Sequence, residues 1–157
     1  MTNALRSALV TLGLCVVACL ATPSAAGAGG PLLEKVIDVP RATRIALDLK
    51  WEKCVLIDVE SVNDPADKTV QAAKEHDPKD NTFLLMRFHY ANTDWIDHRV
   101  RLRAVLLDAA GNVLADDGRT GTMDKGQTDD TLTFLMKVKT VDWPNAAKMR
   151  VTASFLK

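Results

Sequence analysis

The sequence predicts an all-β protein, an immunoglobulin-like antiparallel β-sandwich of about seven strands with one short helical insert near residues 66–76. Three observations support this fold class. Apolar and polar residues alternate with a period of two in six segments, the pattern of strands with one buried face. Turn residues separate these segments at the spacing typical of a sandwich. After an N-terminal leader, about 130 residues remain, enough for one domain with a hydrophobic core.

The first 26 residues have the layout of a secretory signal peptide. Arg6 precedes an uncharged apolar run over residues 8–21, and small residues follow from Ser24 to Gly30. The apolar run is too short to span a bilayer as a permanent helix. We therefore expect an exported protein that is periplasmic, attached to the outer membrane or secreted.

Two processing sites remain open. A general signal peptidase would cut before Gly27 and remove residues 1–26. The segment Val16-Val17-Ala18-Cys19 resembles the bacterial lipobox, which implies removal of residues 1–18, lipidation at Cys19 and attachment to the membrane. In either case we expect a linker over residues 27–39 and a β-sandwich domain over residues 40–157, with a flexible tether from Leu20 to Pro31 if Cys19 is lipidated.

Each predicted strand has one apolar face. In chain order, the residues that define these faces are Ile45, Leu47 and Leu49; Val55, Ile57 and Val59; Leu84, Met86, Phe88 and Tyr90; Val100, Leu102, Ala104 and Leu106; Leu132, Phe134, Met136 and Val138; and Met149, Val151, Ala153 and Phe155.

Turns and one insert divide the strands. Residues 64–81 form the long insert, in which the Ala, Lys, Gln and Glu content of residues 66–76 predicts about three turns of helix. Residues 108–112 predict a tight reversal in which Gly111 supplies a positive φ, with a new strand starting at Val113. Trp143-Pro144 interrupts the ladder before the last strand.

Charge and cysteine content exclude several classes. The 20 basic and 20 acidic residues balance, so no global field favours nucleic acid or a membrane. Cys54 is the one cysteine of the mature domain after cleavage, which excludes an intrachain disulfide framework and a cysteine-rich zinc site. We expect Cys54 to be buried and inert.

The candidate interaction patch consists of basic residues on two strands. Arg99, Arg101 and Arg103 share one face of a strand, and Arg87 and His89 share a face of the preceding strand. If a short connection makes these strands neighbours, the five side chains form one patch that suits phosphate or carboxylate groups of an envelope protein or an anionic surface. The competing interpretation is ordinary cross-strand pairing with acids, namely Asp58, Glu60, Asp129 or Asp130.

No catalytic, cofactor or metal site is predicted. The chain lacks a Gly-x-Ser-x-Gly motif and a phosphate-binding glycine loop, and His76, His89 and His98 lack metal-ligand spacing. Tryptophans offer the alternative patch, with an aromatic ring and a rigid turn at Trp143, Pro144 and Asn145. The competing interpretation is that the tryptophans, Trp95 among them, close the ends of the core.

A family resemblance covers the second half of the chain. Tyr90-Ala91-Asn92-Thr93-Asp94, the segment from Val100 to Leu114 with Asp108-Ala109-Ala110-Gly111, and Lys125-Gly126 resemble the FxLYD-type domains of the bacterial envelope. Leu107 stands where that family usually has Tyr, and Lys125 where it has Pro. The resemblance implies an immunoglobulin-like fold, often on a lipoprotein and usually of unknown or binding function, and it carries no catalytic residue.

These observations favour an exported cell-envelope module that binds a partner or supports an assembly and is not an enzyme. One alternative is a small envelope enzyme or metal-binding protein with a site built from loops. The other is a structural spacer domain without a ligand.

Overall fold

The computed structural model describes residues 29–77 and 80–156, which form a sandwich of two four-stranded antiparallel sheets. Sheet A has the strand order β1-β8-β5-β6, and sheet B has the order β2-β3-β4-β7. The elements of the described residues are β1 (Gly29–Asp38), β2 (Ile45–Trp51), β3 (Cys54–Val62), α1 (Lys68–His76), β4 (Asn81–Asn92), β5 (His98–Leu107), β6 (Val113–Met123), β7 (Gln127–Lys139), a short 3₁₀ helix (Trp143–Asn145) and β8 (Lys148–Leu156).

The predicted all-β sandwich with one short helix is confirmed. The described chain has eight strands instead of about seven, divided four and four, whereas a constant-type immunoglobulin domain divides seven strands four and three. The predicted reversal is also present, because the Asp108 carboxylate accepts hydrogen bonds from the backbone N–H groups of Ala110 and Asn112 while Gly111 has a φ of 86°.

The additional strand is β1, which occupies most of the segment expected to be a linker. Residues Gly29–Asp38 pair antiparallel with β8, with a register shift between Gly29 and Leu32. Pro31 lies at this shift on an edge strand, where a residue without an N–H is tolerated. The expected tether from Leu20 to Pro31 therefore ends where β1 begins, at Gly29. The expected signal peptide and the cleavage and lipidation sites lie outside the described residues.

The inward faces of the two sheets form one hydrophobic core. Its largest fully buried side chains include Phe88, Phe155 and Leu56, and Phe88 stacks on Phe134 with ring centroids 5.6 Å apart. The predicted apolar faces of five of the six segments point inward, as period-two alternation requires. Among the described residues, no helix is long and apolar enough to cross a membrane.

The predicted face of the remaining segment, β3, is wrong in its first half. Cys54 and Leu56 are the buried residues there, while Val55 and Ile57 are only partly buried and lie outside the core. A register shift after Leu56 then returns Val59 to the inward face.

Strand β4 is buried on both of its faces. Phe83 and Leu85 point away from the core, yet they are only 5% and 8% exposed. Helix α1 contacts β4, and its Val70 is completely buried. The helix starts at an N-cap, because Asp67 accepts hydrogen bonds from the backbone N–H groups of Thr69 and Val70. The insert therefore covers part of the outer face of sheet B, and no helix of the described residues lies on the outer face of sheet A.

The connection between β4 and β5 crosses from sheet B to sheet A, and Asn92 fixes it from inside. This side chain is fully buried. Its amide group donates hydrogen bonds to the carbonyls of Ile96 (2.9 Å) and Met123 (2.8 Å), and its oxygen accepts from the N–H of Asp94 (3.0 Å). One polar side chain thus satisfies backbone groups on both sides of the crossing, which buried backbone requires.

Candidate functional site

The five basic side chains of the predicted patch do not form one patch. Arg87 and His89 lie on β4 in sheet B, while Arg99, Arg101 and Arg103 lie on β5 in sheet A. The expectation that β4 and β5 are neighbours in one sheet is wrong, because their connection crosses the sandwich. The two groups therefore occupy opposite outer faces of the domain.

Arg87 and His89 are paired with acids on the neighbouring strands. Arg87 donates to Glu60 at 3.1 Å. His89 is nearly buried, with its Nδ1 atom 3.4 Å from Asp129 and its Nε2 atom 4.0 Å from Asp58. This is the cross-strand pairing that the sequence offered as the alternative to ligand binding. These two residues therefore connect neighbouring strands of sheet B.

The outer face of sheet A assembles the remaining arginines with hydroxyl groups. We call this surface the sheet A face; it comprises the outward residues of β1, β8, β5 and β6. In its central row, Arg101 lies between Ser154 of β8 and Thr120 of β6. In the next row, Arg103 lies between Thr152 and Gly118. Short neighbours on both sides leave the long guanidinium side chains room to lie along the sheet.

Arg103 is held by an acid on the adjacent strand. Its Nε atom donates to Asp116 Oδ1 at 2.7 Å, and its Nη2 atom contacts the other oxygen of the same carboxylate. This two-pronged pairing lowers the pKa of Asp116 and raises the pKa of Arg103. The charge of Arg103 is therefore compensated internally, and Arg103 helps to form the surface without offering a free cation.

Arg101 has no such partner. Within residues 29–77 and 80–156, no salt bridge involves Arg101, Arg99 or Arg150. The outward side chains of sheet A include five cations and three acids, and two of the acids are already paired. The cations are Arg99, Arg101, Arg103, Lys148 and Arg150, and the acids are Glu34, Asp38 and Asp116. The remaining cations therefore outnumber the remaining acid by two, with Arg101 at the centre.

The sheet A face is hollowed around these residues. A depression of about 460 Å³ is lined by three arginines, one acid, two hydroxyl residues and two apolar residues, which are Arg101, Arg103, Arg150, Glu34, Thr152, Ser154, Leu32 and Val105. A second depression of about 260 Å³ lies on the β6 side of the two β5 arginines. A guanidinium fork with hydroxyl donors around it is suited to a carboxylate or phosphate group that projects from a partner. A flat partner surface would not enter the hollow.

Sequence reasoning missed Arg150 and the hydroxyl residues Thr120, Thr152 and Ser154. The alternation in β8 placed Arg150 on the outward side of its strand. The neighbour relation that brings it beside β5 is a long-range pairing, with Arg150 opposite Val105. No local pattern in the sequence reports such a pairing.

Arg41 holds the alternative patch in place through contacts with the segment Trp143, Pro144 and Asn145. The Arg41 guanidinium carbon lies 4.1 Å from the centroid of the Trp143 ring. Its Nη2 atom donates to the carbonyl of Trp143 and to that of Ala146, both at 2.9 Å. One face of the indole and several loop carbonyls are thus already used within the domain.

Two other side chains with reactive or metal-binding groups, Cys54 and His98, contact neighbouring residues within the domain. Cys54 is buried beside Asn92, and burial, with Asp94 and Glu52 nearby, raises the pKa of its thiol to about 11. His98 lies 3.0 Å from Asp94 and packs edge-on against Trp51. Within the part of the chain that the structure describes, no group of three or more His, Cys, Asp or Glu side chains is arranged to hold a metal ion.

Comparisons with known proteins assign no family to this arrangement. No protein-family model matches the chain, and no curated protein matches it significantly.

Proposed function

We propose that this protein is an exported cell-envelope module that binds an anionic group of a partner through the sheet A face. The observation that carries the proposal is Arg101, an exposed guanidinium that forms no salt bridge with any described residue and lies in a depression lined also by Arg103, Arg150 and Glu34. Guanidinium groups at this density repel one another unless an anion intervenes. Asp116 is the anion that neutralises Arg103, and an anionic group of the ligand would neutralise Arg101.

The ligand chemistry follows from the donors around Arg101. A guanidinium presents parallel N–H groups that match the two oxygens of a carboxylate or phosphate. Ser154 and Thr120 flank it across the strands, so a bound anion would meet hydroxyl donors on both sides. We therefore favour an acidic side chain or a phosphate group that projects from an envelope partner. The apolar leader supports export, and processing occurs at Gly27 or, with lipidation, at Cys19.

The two other functional classes have weaker support. An enzyme needs an activated group, yet the Cys54 thiol is buried with a raised pKa, and the buried Ser61 donates to the Pro40 carbonyl at 2.7 Å. A ligand-free spacer needs no uncompensated arginine on a hollowed surface. We therefore favour a binding function over the other two classes. If no partner contacts the sheet A face, we would conclude that the protein is a spacer.

Photocrosslinking in intact cells tests this proposal. A photoreactive phenylalanine analogue replaces Thr122, which lies on the sheet A face opposite Arg99, and in a matched variant it replaces Thr133 on the outer face of sheet B, opposite Arg87. Both threonines are exposed. We expect a discrete crosslinked product from position 122 and none from position 133. The absence of a product from position 122 would favour the spacer, and equal products from both positions would contradict a site on sheet A.

A further inference from the structure

An exposed aromatic tip lies at one end of the sandwich, away from the sheet A face. Trp95 is 79% exposed and the adjacent Ile96 is 40% exposed, in the connection from β4 to β5. The other two tryptophans pack against the core. We call Trp95 and Ile96 the aromatic tip.

The exposure of the tip does not result from a loosely held loop. The N–H of Trp95 donates to Asp94 at 2.8 Å, and the carbonyl of Ile96 accepts from the buried Asn92. Hydrogen bonds from His98 and from the N–H of Trp95 keep the pKa of Asp94 below its usual range. The N–H of Lys125, in the neighbouring turn, donates to Asp97 at 2.9 Å. The fold therefore holds two apolar side chains in water at a fixed place.

The N-terminal segment joins the domain at this same end. Gly29 and Arg99 are both register partners of Leu156, so the starts of β1 and β5 flank the end of β8. A Cβ atom on Gly30 would lie 3.0 Å from the Trp51 ring, which packs against His98 at a centroid distance of 5.4 Å. The chain thus enters the fold directly beside the residues that support the aromatic tip.

The length of the preceding segment limits how far the tip lies from a membrane. Nine residues separate Cys19 from Gly29. Even fully extended, this stretch reaches about 35 Å. A lipid on Cys19 would keep this end of the domain within that distance of the bilayer, while the opposite end lies a strand length of about 30 Å further along the sandwich.

We infer that the aromatic tip is a membrane contact, in which Trp95 and Ile96 enter the headgroup region of the bilayer to which Cys19 is attached. This inference rests on the lipoprotein branch of the proposed function. Tryptophan favours the membrane interface, where its apolar ring and its N–H are both accommodated. The tip contact would fix the orientation of the tethered domain and leave the sheet A face exposed to the side.

The contact is apolar in character. The exposed charges in the turns around the tip are slightly acidic, since the two lysines Lys53 and Lys125 stand beside three acids, which are Glu52, Asp97 and Asp124. A surface without an excess of positive charge gains nothing from the charge of anionic lipids. The tip should therefore insert into zwitterionic bilayers at least as well as into anionic ones, whereas the site around Arg101 attracts anions.

The experiment measures where Trp95 lies relative to lipid. The processed protein is purified from membranes, its N-terminus is determined by mass spectrometry, and it is reconstituted into phosphatidylcholine vesicles with lipids brominated near the headgroup. The Trp95→Phe variant gives the fluorescence of the other tryptophans. The matched control adds Val141→Trp to Trp95→Phe, which moves an indole to an exposed site at the opposite end, where Val141 is 71% exposed.

We expect a blue shift and a loss of roughly half of the Trp95 fluorescence, as for an indole at the interface, and no quenching of the indole at position 141. Arg101→Glu should leave this quenching unchanged, so failure of the tip contact and failure of the binding site are distinguishable. Unquenched Trp95 in the lipidated protein would overturn the inference. A mature N-terminus at Gly27 would also overturn it, because the attachment point would be missing.

Discussion

Replacing Asn92 by Asp is expected to lower the free energy of unfolding by about 4 kcal/mol, since two backbone carbonyls lose their donor and a carboxylate replaces a fully buried amide. The substitution preserves size and the oxygen that accepts from Asp94. In place of the amide nitrogen, however, a second carboxylate oxygen would face the carbonyls of Ile96 and Met123. Urea denaturation at neutral pH measures the change.

A matched control is Asn145→Asp. Asn145 is exposed and donates to the Val141 carbonyl at 3.2 Å, so the same chemical change occurs in water. We expect the control to cost less than about 0.5 kcal/mol. Lowering the pH should recover part of the loss in the Asn92→Asp variant, because a protonated carboxyl donates one hydrogen bond. Equal costs at both positions would show that Asn92 does not support the β4–β5 crossing.

Replacing Gly118 by Ala is expected to cost roughly 3 kcal/mol, because the added methyl group has no space beside β5. An ideal Cβ at Gly118 would lie 2.4 Å from the backbone oxygen of Leu102, which no side-chain movement relieves. The substitution would also displace the strand that carries Asp116, the partner of Arg103.

The control for this prediction is Gly111→Ala in the β5–β6 turn. A Cβ atom there meets nothing within 4 Å, although the φ of 86° carries a strain of about 1 kcal/mol for a residue with a side chain. Thermal and urea unfolding measure the loss of stability in both variants. The loss in Gly118→Ala reports the steric clash, and the loss in Gly111→Ala reports the backbone strain. A larger loss at Gly111 than at Gly118 would contradict the close approach of β6 to β5.

The sequence predicted what depends on local pattern. Period-two alternation correctly identified the inward residues of β4, β5, β7 and β8, because the two faces of a strand differ in burial. The helical insert was also correctly predicted, because helix-favouring residues between two prolines, Pro65 and Pro78, can be recognised without knowledge of the tertiary contacts.

The site was predicted only in part, because alternation assigns a face to a residue but not a neighbour to a strand. Arg101 and Arg103 were correctly placed on an outward face, whereas Arg87 and His89 were joined to them through a pairing that the crossing at Asn92 prevents. Arg150 was missed because it reaches β5 through pairing between strands that are distant in the sequence. Strand β1 was missed because glycines and Pro31 have the composition of a linker.

The most direct test of the proposed binding site is charge reversal at Arg101, measured as the yield of the photocrosslinked product from position 122. We expect Arg101→Glu to reduce this yield about tenfold or more, since a like charge would face the anionic group of the partner. Arg44→Glu is the matched control, because Arg44 is also exposed but lies beside Asp58 of sheet B. An unchanged yield with Arg101→Glu, or an equal loss with Arg44→Glu, would contradict an anion-binding site on the sheet A face.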